Sequence, residues 1–316
     1  MLYRKIAFIL MVIPILANAD IKPKMKISAI LKYPPLEQCS GLVFSPTDNN
    51  LILAYPCYTN ADKEPKAFVV NIKSNEIKPM IVDDFIQAVW LGGKVMFLIG
   101  ANKWLVKDLP FARAASNEFK IDGAKFAGLG AYNPLSPNYV WGKDDLVIPN
   151  ERLKLEQNRY PFDIISRNDG SKLEPGIYEK GTNKLIYGFN KQHVDIGLIS
   201  PDGYKFYLEG SMEVIFNRLT NEEFILERNN EWGNEYYWLP DSLHLLVKRI
   251  YMKPNDEEIK DEFYIYNYLT KRSYKVALPK EIENSIFQIQ DISDNGKILA
   301  RLGATKGFYV FDLEWK

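Results

Sequence analysis

The sequence is poor in the residues that enzymes commonly use for catalysis or for binding metals. It has two histidines and two cysteines in 316 residues, and its 40 basic side chains are balanced by 40 acidic ones. His193 and His244 have no histidine partner two or four positions away, so we predict no zinc or copper site. The lack of a basic surplus argues against nucleic-acid binding, which depends on displacing counterions with Lys and Arg.

Motifs of catalysis and nucleotide binding are missing as well. No G-x-S-x-G nucleophile elbow surrounds Ser211, and the glycine-rich stretch at 127–131 lacks the lysine of a phosphate-binding loop. We therefore predict no catalytic residue, no resident metal and no cofactor, and we favour a protein that is not an enzyme. Acids from separate strands could still form a pair for glycoside cleavage, because the sequence does not select among its 40 acidic residues.

Long apolar runs are absent apart from one near the N-terminus. Two basic residues precede the apolar stretch 6–16, which is followed by Ala-Asn-Ala at 17–19. The stretch is too short for a stable membrane-spanning helix, but its order is that of a signal peptide, and an uncleaved anchor is the less favoured alternative. We expect a signal peptide over 1–19, cleavage after Ala19 and no membrane span in the remaining domain, 20–316.

The predicted export makes the periplasm the expected compartment. The sequence has no Asn-x-Ser/Thr acceptor, which favours a bacterial periplasm over a glycosylating pathway. Cys39 and Cys57 flank a turn signal centred near Asp48. A hairpin centred there pairs residues that lie equally far before and after position 48, so that their numbers sum to about 96. Residues 39 and 57 meet this condition. We expect a disulfide between them, and the alternative is two free buried thiols.

A turn signal followed by a short apolar strand recurs about every 49 residues. The clearest copy is Ser-Pro-Asp-Gly at 200–203, which leads into a strand pattern at 204–208. Variants of this turn occur at 44–48, 90–94, 141–145, 238–242 and 292–297. A second apolar element that ends near an Asp or Asn follows most of the turns, at 68–72, 104–109, 214–219, 264–269 and 308–313.

This repeat predicts an all-β fold, a six-bladed β-propeller. Three or four short strands in each repeat, with turn residues between them and no long helical periodicity, are typical of a propeller blade. Six turns predict six blades in one domain, while the long interval from Lys143 to Gly203 leaves room for a seventh. We expect helix to be confined to at most about one turn around 279–284.

These turns resemble those of the TolB-like and WD40-like propeller families, in which a Ser-Pro-Asp-Gly turn joins the inner strands of each blade. The resemblance covers nearly all of the chain after the predicted signal peptide. It implies a rigid ring that holds segments of other proteins at one end, as a periplasmic adaptor does. Because the resemblance lies in scaffold turns, it assigns no partner-binding residue. About 15 residues separate the predicted cleavage site from the first predicted blade, too few for the N-terminal domain that TolB proteins place before the propeller, so we expect a related scaffold rather than TolB itself.

The last repeat supplies only three strand patterns, at 286–292, 298–301 and 307–312. The alternating stretch 25–31 could pair with them as a fourth strand. We predict this pairing because an open sheet edge at the junction would invite aggregation.

Two groups of residues are candidates for contacting a partner. An aromatic cluster includes Trp232 and Tyr236, whose rings could anchor a protein segment or a sugar. The alternative for Tyr236 is packing between neighbouring sheets. Asp256, Glu257 and Glu258 belong to an acidic run that could face a partner, and the alternative is a solvated hairpin loop.

These features predict an exported, monomeric β-propeller that binds another protein at one face of its ring without performing chemistry. Two other functions stay open. One is a periplasmic immunity protein that neutralises a secreted toxin. The other is a glycosidase or lyase that uses carboxylates in the propeller funnel.

Overall fold

The structure, a computed structural model, describes residues 22–58, 65–83, 85–91, 93–99, 103–110, 119–122, 162–165, 173–179, 182–189, 193–226, 233–252, 258–303 and 307–315. These residues form antiparallel β-sheets and one short helix. The predicted signal peptide and the predicted turn at 141–145 lie outside the described residues.

Six sheets follow one another along the described part of the chain, and consecutive strands are hydrogen-bonded neighbours within each sheet. The first sheet contains β2 Leu42–Phe44, β3 Leu51–Cys57, β4 Lys66–Asn71 and β5 Glu76–Met80. The second contains β6 Phe85–Leu91, β7 Lys94–Ile99, β8 Lys103–Lys107 and β9 Phe119–Asp122. The third contains three described strands, β10 Phe162–Ile165, β11 Gly176–Glu179 and β12 Leu185–Gly188.

The later sheets have the same order. The fourth contains β13 His193–Ile199, β14 Lys205–Gly210, β15 Val214–Asn217 and β16 Glu222–Ile225. The fifth contains β17 Gly233–Trp238, β18 His244–Met252, β19 Glu258–Asn267 and β20 Arg272–Lys275. The sixth contains β21 Phe287–Ile292, β22 Lys297–Leu302 and β23 Phe308–Glu314, and its fourth strand is β1 Lys24–Leu31 from the N-terminal side.

The predicted repeat corresponds to these sheets, since five of the six predicted turns join the first two strands of a described sheet. In the fourth sheet, Ser200 Oγ accepts the amide of Lys205 at 3.0 Å, and Gly203 adopts a φ of +76°. In the sixth sheet, Ser293 Oγ accepts the amide of Lys297 at 2.9 Å in the same way. A buried hydroxyl at the strand end and a residue in the left-handed region therefore explain why this turn chemistry recurs.

The interior strands β3, β14, β18 and β22 bury side chains on both faces because their sheets lie between two others. In β22, Ile298 and Ala300 pack in one apolar cluster with Leu246 of the fifth sheet. Leu299, which points to the opposite face, packs with Leu42 of the first sheet. The same alternation between two neighbouring sheets occurs in β3, β14 and β18. The described contacts therefore stack the sheets face to face from the third through the sixth, and from the sixth to the first and second.

Hydrogen bonds also cross the interfaces between neighbouring sheets. They join Trp90 Nε1 to the Val43 carbonyl (3.1 Å), the Asp202 amide to Ser242 Oγ (2.9 Å), and the Phe287 amide to Asp261 Oδ2 (2.6 Å). The third and fourth sheets meet where the rings of Tyr187 and Phe216 lie 4.6 Å apart. These contacts connect the first sheet to the second, the third to the fourth, the fourth to the fifth, and the fifth to the sixth.

The N-terminal strand is paired with the last sheet, as predicted. β1 runs antiparallel to β23, with Met25 opposite Leu313 and Leu31 opposite Phe308. Lys24 and Lys26 project from this edge strand and pair with Glu314, and such charges discourage pairing with other chains.

The first and sixth sheets meet at a buried carboxylate. Oδ2 of Asp291, in β21, accepts the amide of Phe44 at 2.7 Å, and Oδ1 accepts the amide of Ile292 at 2.8 Å. Burial raises the pKa of Asp291 to about 7. The two amide hydrogen bonds act in the opposite direction and lower the pKa, because they favour the ionised carboxylate.

The predicted disulfide is present between Cys39 and Cys57. β2 and β3 pair Leu42 with Ala54 and Val43 with Leu53, which is the register predicted from the turn. The two cysteines continue that register as an isolated antiparallel bridge beyond β2.

The prediction that any helix is confined to 279–284 is wrong, because the described helix lies elsewhere. That segment forms separate turns, in which the amide of Ile282 bonds to the Pro279 carbonyl and that of Ser285 to the Ile282 carbonyl. The described helix is α1, Pro34–Glu37, whose first turn contains prolines, residues that suit helix starts. No helix in the described ranges is long and apolar enough to cross a membrane.

Asp291→Asn should remove a pH dependence of stability. Because the folded pKa of about 7 lies above the value near 4 of an unfolded aspartate, wild-type stability should fall as pH rises between these values, by on the order of 4 kcal/mol. Urea unfolding at pH 4.5, 6 and 8 should show this fall for the wild type and for the exposed-turn control Asp48→Asn. The fall in stability should be absent in Asp291→Asn. Parallel curves of stability against pH for all three proteins would contradict the claim that Asp291 causes it.

A chain that begins at residue 34 should fail to give a cooperatively melting monomer. It lacks β1, so the β23 edge and the apolar side chains that β1 covers become exposed. Size-exclusion chromatography and thermal melting would test this against a control chain that begins at residue 22. A truncated chain that stays monomeric and melts like the control would refute the role of β1.

Candidate functional site

A cavity of about 510 Å³ opens between the fifth and sixth sheets. Its volume lies within the range of small-ligand and side-chain binding sites. Three segments line it: the β17–β18 turn, the β21–β22 turn and the end of β23. The lining residues are Leu239, Pro240, Asp241, Asp294, Asn295, Gly296, Leu313, Glu314 and Trp315.

The first wall is the turn between β17 and β18. Oδ1 of Asp241 accepts the amides of Leu243 and His244, both at 3.0 Å. Ser242 takes a φ of +55°, the left-handed conformation that glycine takes in the equivalent turns. An aspartate that bonds to the next backbone amides stabilises such a turn, so Asp241 is held at the cavity by its own turn.

The second wall is the turn between β21 and β22. Ser293 Oγ donates to Asn295 Oδ1 at 2.6 Å, which orients the asparagine. Gly296 has a φ of +83°, so a side chain at this position would be strained even though there is space for its Cβ. The turn leaves Asp294 and Asn295 exposed at the rim.

The third wall follows the last strand. Glu314 bonds to Lys26 at 2.6 Å and to Lys24 at 3.2 Å, and these lysines hold the pKa of its carboxyl below the usual range. The ring of Trp315 makes an edge-to-face contact with His244, with centroids 4.4 Å apart. This contact holds the indole beside the cavity.

His244 is held in one neutral tautomer by its neighbours. Asn267 Oδ1 accepts the amides of Leu269 and Thr270, so its Nδ2 faces the ring and donates to His244 Nε2 at 3.0 Å. The proton must therefore reside on Nδ1, which donates to Asp241 Oδ2 at 2.8 Å. A neutral imidazole leaves the charge of Asp241 uncompensated by this contact.

Of the five predicted binding residues, the structure describes Tyr236 and Glu258, and it places both away from this cavity. Trp232, Asp256 and Glu257 lie outside the described residues. Glu258 begins β19 opposite Met252, at the end of the fifth sheet farther from the cavity.

Tyr236 is buried between the fourth and fifth sheets, with 7% of its surface exposed. Its ring lies 5.1 Å from that of Tyr207, and its hydroxyl bonds to Glu213 and receives a 3.4 Å contact from Asn234. Burial, followed by the nearby Glu213 charge, raises the pKa of Tyr236 above its ordinary value. The register pairs Tyr236 with Val247, five residues before Met252 on β18, so about 16 Å of strand separates it from Glu258.

Sequence reasoning did not select the residues around the cavity. Asp241 was visible only as part of a repeated turn, and Trp315 only as an aromatic residue after the last strand pattern. The described residues contain no group of three or more His, Cys, Asp or Glu side chains arranged to hold a metal ion.

No protein-family model matches the chain, and no curated protein matches it in sequence. Among solved structures, it is similar to a chain in a crystal structure of the mitotic checkpoint complex, with 10% identity and a TM-score of 0.48 over 98% of this chain and 99% of that one. It is also similar to TolB from Acinetobacter baumannii, with 9% identity and a TM-score of 0.26. That match covers 86% of this chain and 53% of TolB, about half its length. Both TM-scores are low, and neither similarity by itself defines the architecture.

Tyr236→Phe should lower the free energy of unfolding by about 1–2 kcal/mol, because Glu213 loses a hydroxyl donor within a packed interface. The exposed Tyr204→Phe is the matched control and should change stability by less than about 0.5 kcal/mol. Urea denaturation at pH 7 measures both values. Equal stabilities of the two variants would contradict a packing role for Tyr236.

Proposed function

We propose that the six sheets are the blades of a closed six-bladed propeller that binds another protein. Stacking in chain order, contacts across the interfaces and the pairing of β1 with β23 support a ring in which the last sheet meets the first. Such a ring presents its turns on two rigid end faces, where a partner can bind with little rearrangement.

The observation that carries this proposal is the cavity between the fifth and sixth sheets. It combines an indole, aliphatic side chains and carboxylates on turns that are held by their own hydrogen bonds. An apolar pocket rimmed by polar groups suits the anchoring side chain of a protein partner.

Export to the periplasm is part of the proposal. The signal-peptide pattern at 1–19 supports it, and so does the disulfide between Cys39 and Cys57, because disulfides persist mainly in oxidising compartments. The protein then acts as an exported adaptor or scaffold.

Site-specific photocrosslinking in cells tests this function. A benzophenone amino acid at Asn295, on the cavity rim, should form an adduct with a defined protein after irradiation. The matched control is the same probe at Asn75, an exposed turn residue of the first sheet. The proposal fails if position 295 forms no adduct, or if both positions capture the same proteins equally.

A further inference from the structure

We infer that the cavity between the fifth and sixth sheets binds a cationic side chain, arginine or lysine, of the protein partner. This inference rests on the proposed function and adds the chemistry of the residue that the cavity accepts. It follows from the charge, the aromatic surface and the hydrogen bonding of the lining residues.

The lining carries charge of one sign. Asp241, Asp294 and Glu314 come from three separate segments, and none of the nine lining residues is Lys or Arg. Clefts lined by one sign of charge concentrate the electric field and attract ions of opposite charge.

The charge of Asp241 is the one most available to a ligand. Its hydrogen bonds come from two backbone amides and from the imidazole of His244, which is held neutral by Asn267. These donors orient the carboxylate without cancelling its charge. Glu314 differs, because Lys24 and Lys26 already neutralise it from outside the cavity.

The apolar part of the lining suits the stem of a long cationic side chain. Leu239, Pro240 and Leu313 offer aliphatic surface, and Trp315 offers an aromatic ring that His244 holds from one side. Arginine and lysine bury their methylene stems against apolar surface while the charged end stays near carboxylates. A guanidinium or ammonium group is also attracted to the face of an indole ring.

Short capped peptides test this inference directly. The probes are acetyl-Gly-Arg-Gly-amide, its lysine analogue and its citrulline analogue, a neutral compound of nearly the same shape as the arginine peptide. Isothermal titration up to about 10 mM suits ligands of this size, which bind weakly. We expect the arginine or lysine peptide to bind about tenfold more tightly than the citrulline peptide, as a single favourable charge contact provides.

Two cavity variants and one control locate the binding. Asp241→Asn keeps Oδ1 as an acceptor for the turn amides, and Asp294→Asn removes a second charge at the exposed rim. Each should weaken the cationic peptides about three- to tenfold and leave citrulline binding unchanged. Asp48→Asn, in the equivalent turn of the first sheet, should leave all affinities unchanged, and thermal melts confirm that each variant is folded.

Several results would overturn the inference. They are equal binding of arginine and citrulline peptides, no binding of any peptide, or unchanged affinity in folded Asp241→Asn and Asp294→Asn. A partner that still crosslinks at position 295 in the double variant would overturn the inference while leaving the proposed function intact. Charge-selective peptide binding without any crosslinked partner would support the cavity chemistry and contradict the proposed function.

Discussion

Burial of both faces of the interior strands is the constraint on which the rest of the structure depends. A strand such as β22 carries apolar side chains on both faces, and a single sheet can cover neither of them. Ile298 and Ala300 therefore need the fifth sheet, while Leu299 needs the first. Because β3, β14 and β18 have the same requirement, their sheets are also stable only between two others. In the sixth sheet, β1 supplies the fourth strand and covers the edge of β23.

Buried polar groups make this stacking specific. A buried carboxylate must find hydrogen-bond donors, and Asp291 and Asp261 find them in backbone amides of the neighbouring sheet. Apolar faces alone would tolerate sliding of one sheet over another, whereas a carboxylate paired with one amide fixes their relative position. Stacking of the fifth and sixth sheets also brings the turns that carry Asp241 and Asp294 to one cavity.

Features set by neighbours in sequence were predicted well. The Ser45–Asn50 turn determined the register of β2 and β3 and hence the cysteine pairing, because a hairpin register follows from its turn. The pairing of β1 with β23 joins distant parts of the chain, and it was predicted instead from the alternating pattern of β1 and from the missing fourth strand of the last repeat. The confinement of helix to 279–284 was a wrong prediction, since the described helix begins at the prolines before Leu36, while 279–284 folds as separate turns.

The sequence by itself determined the all-β repeat, the turns and the disulfide, since each depends on residues close together in the chain or on a regular spacing. Only the tertiary structure decided that Tyr236 lies between two sheets and that a cavity forms elsewhere. Asp241, Asp294 and Trp315 belong to different segments, and no pattern along the chain relates them. Stacking of the fifth and sixth sheets brings them together, and the orientation of Asn267 then fixes the proton of His244 and leaves a negative charge beside an indole.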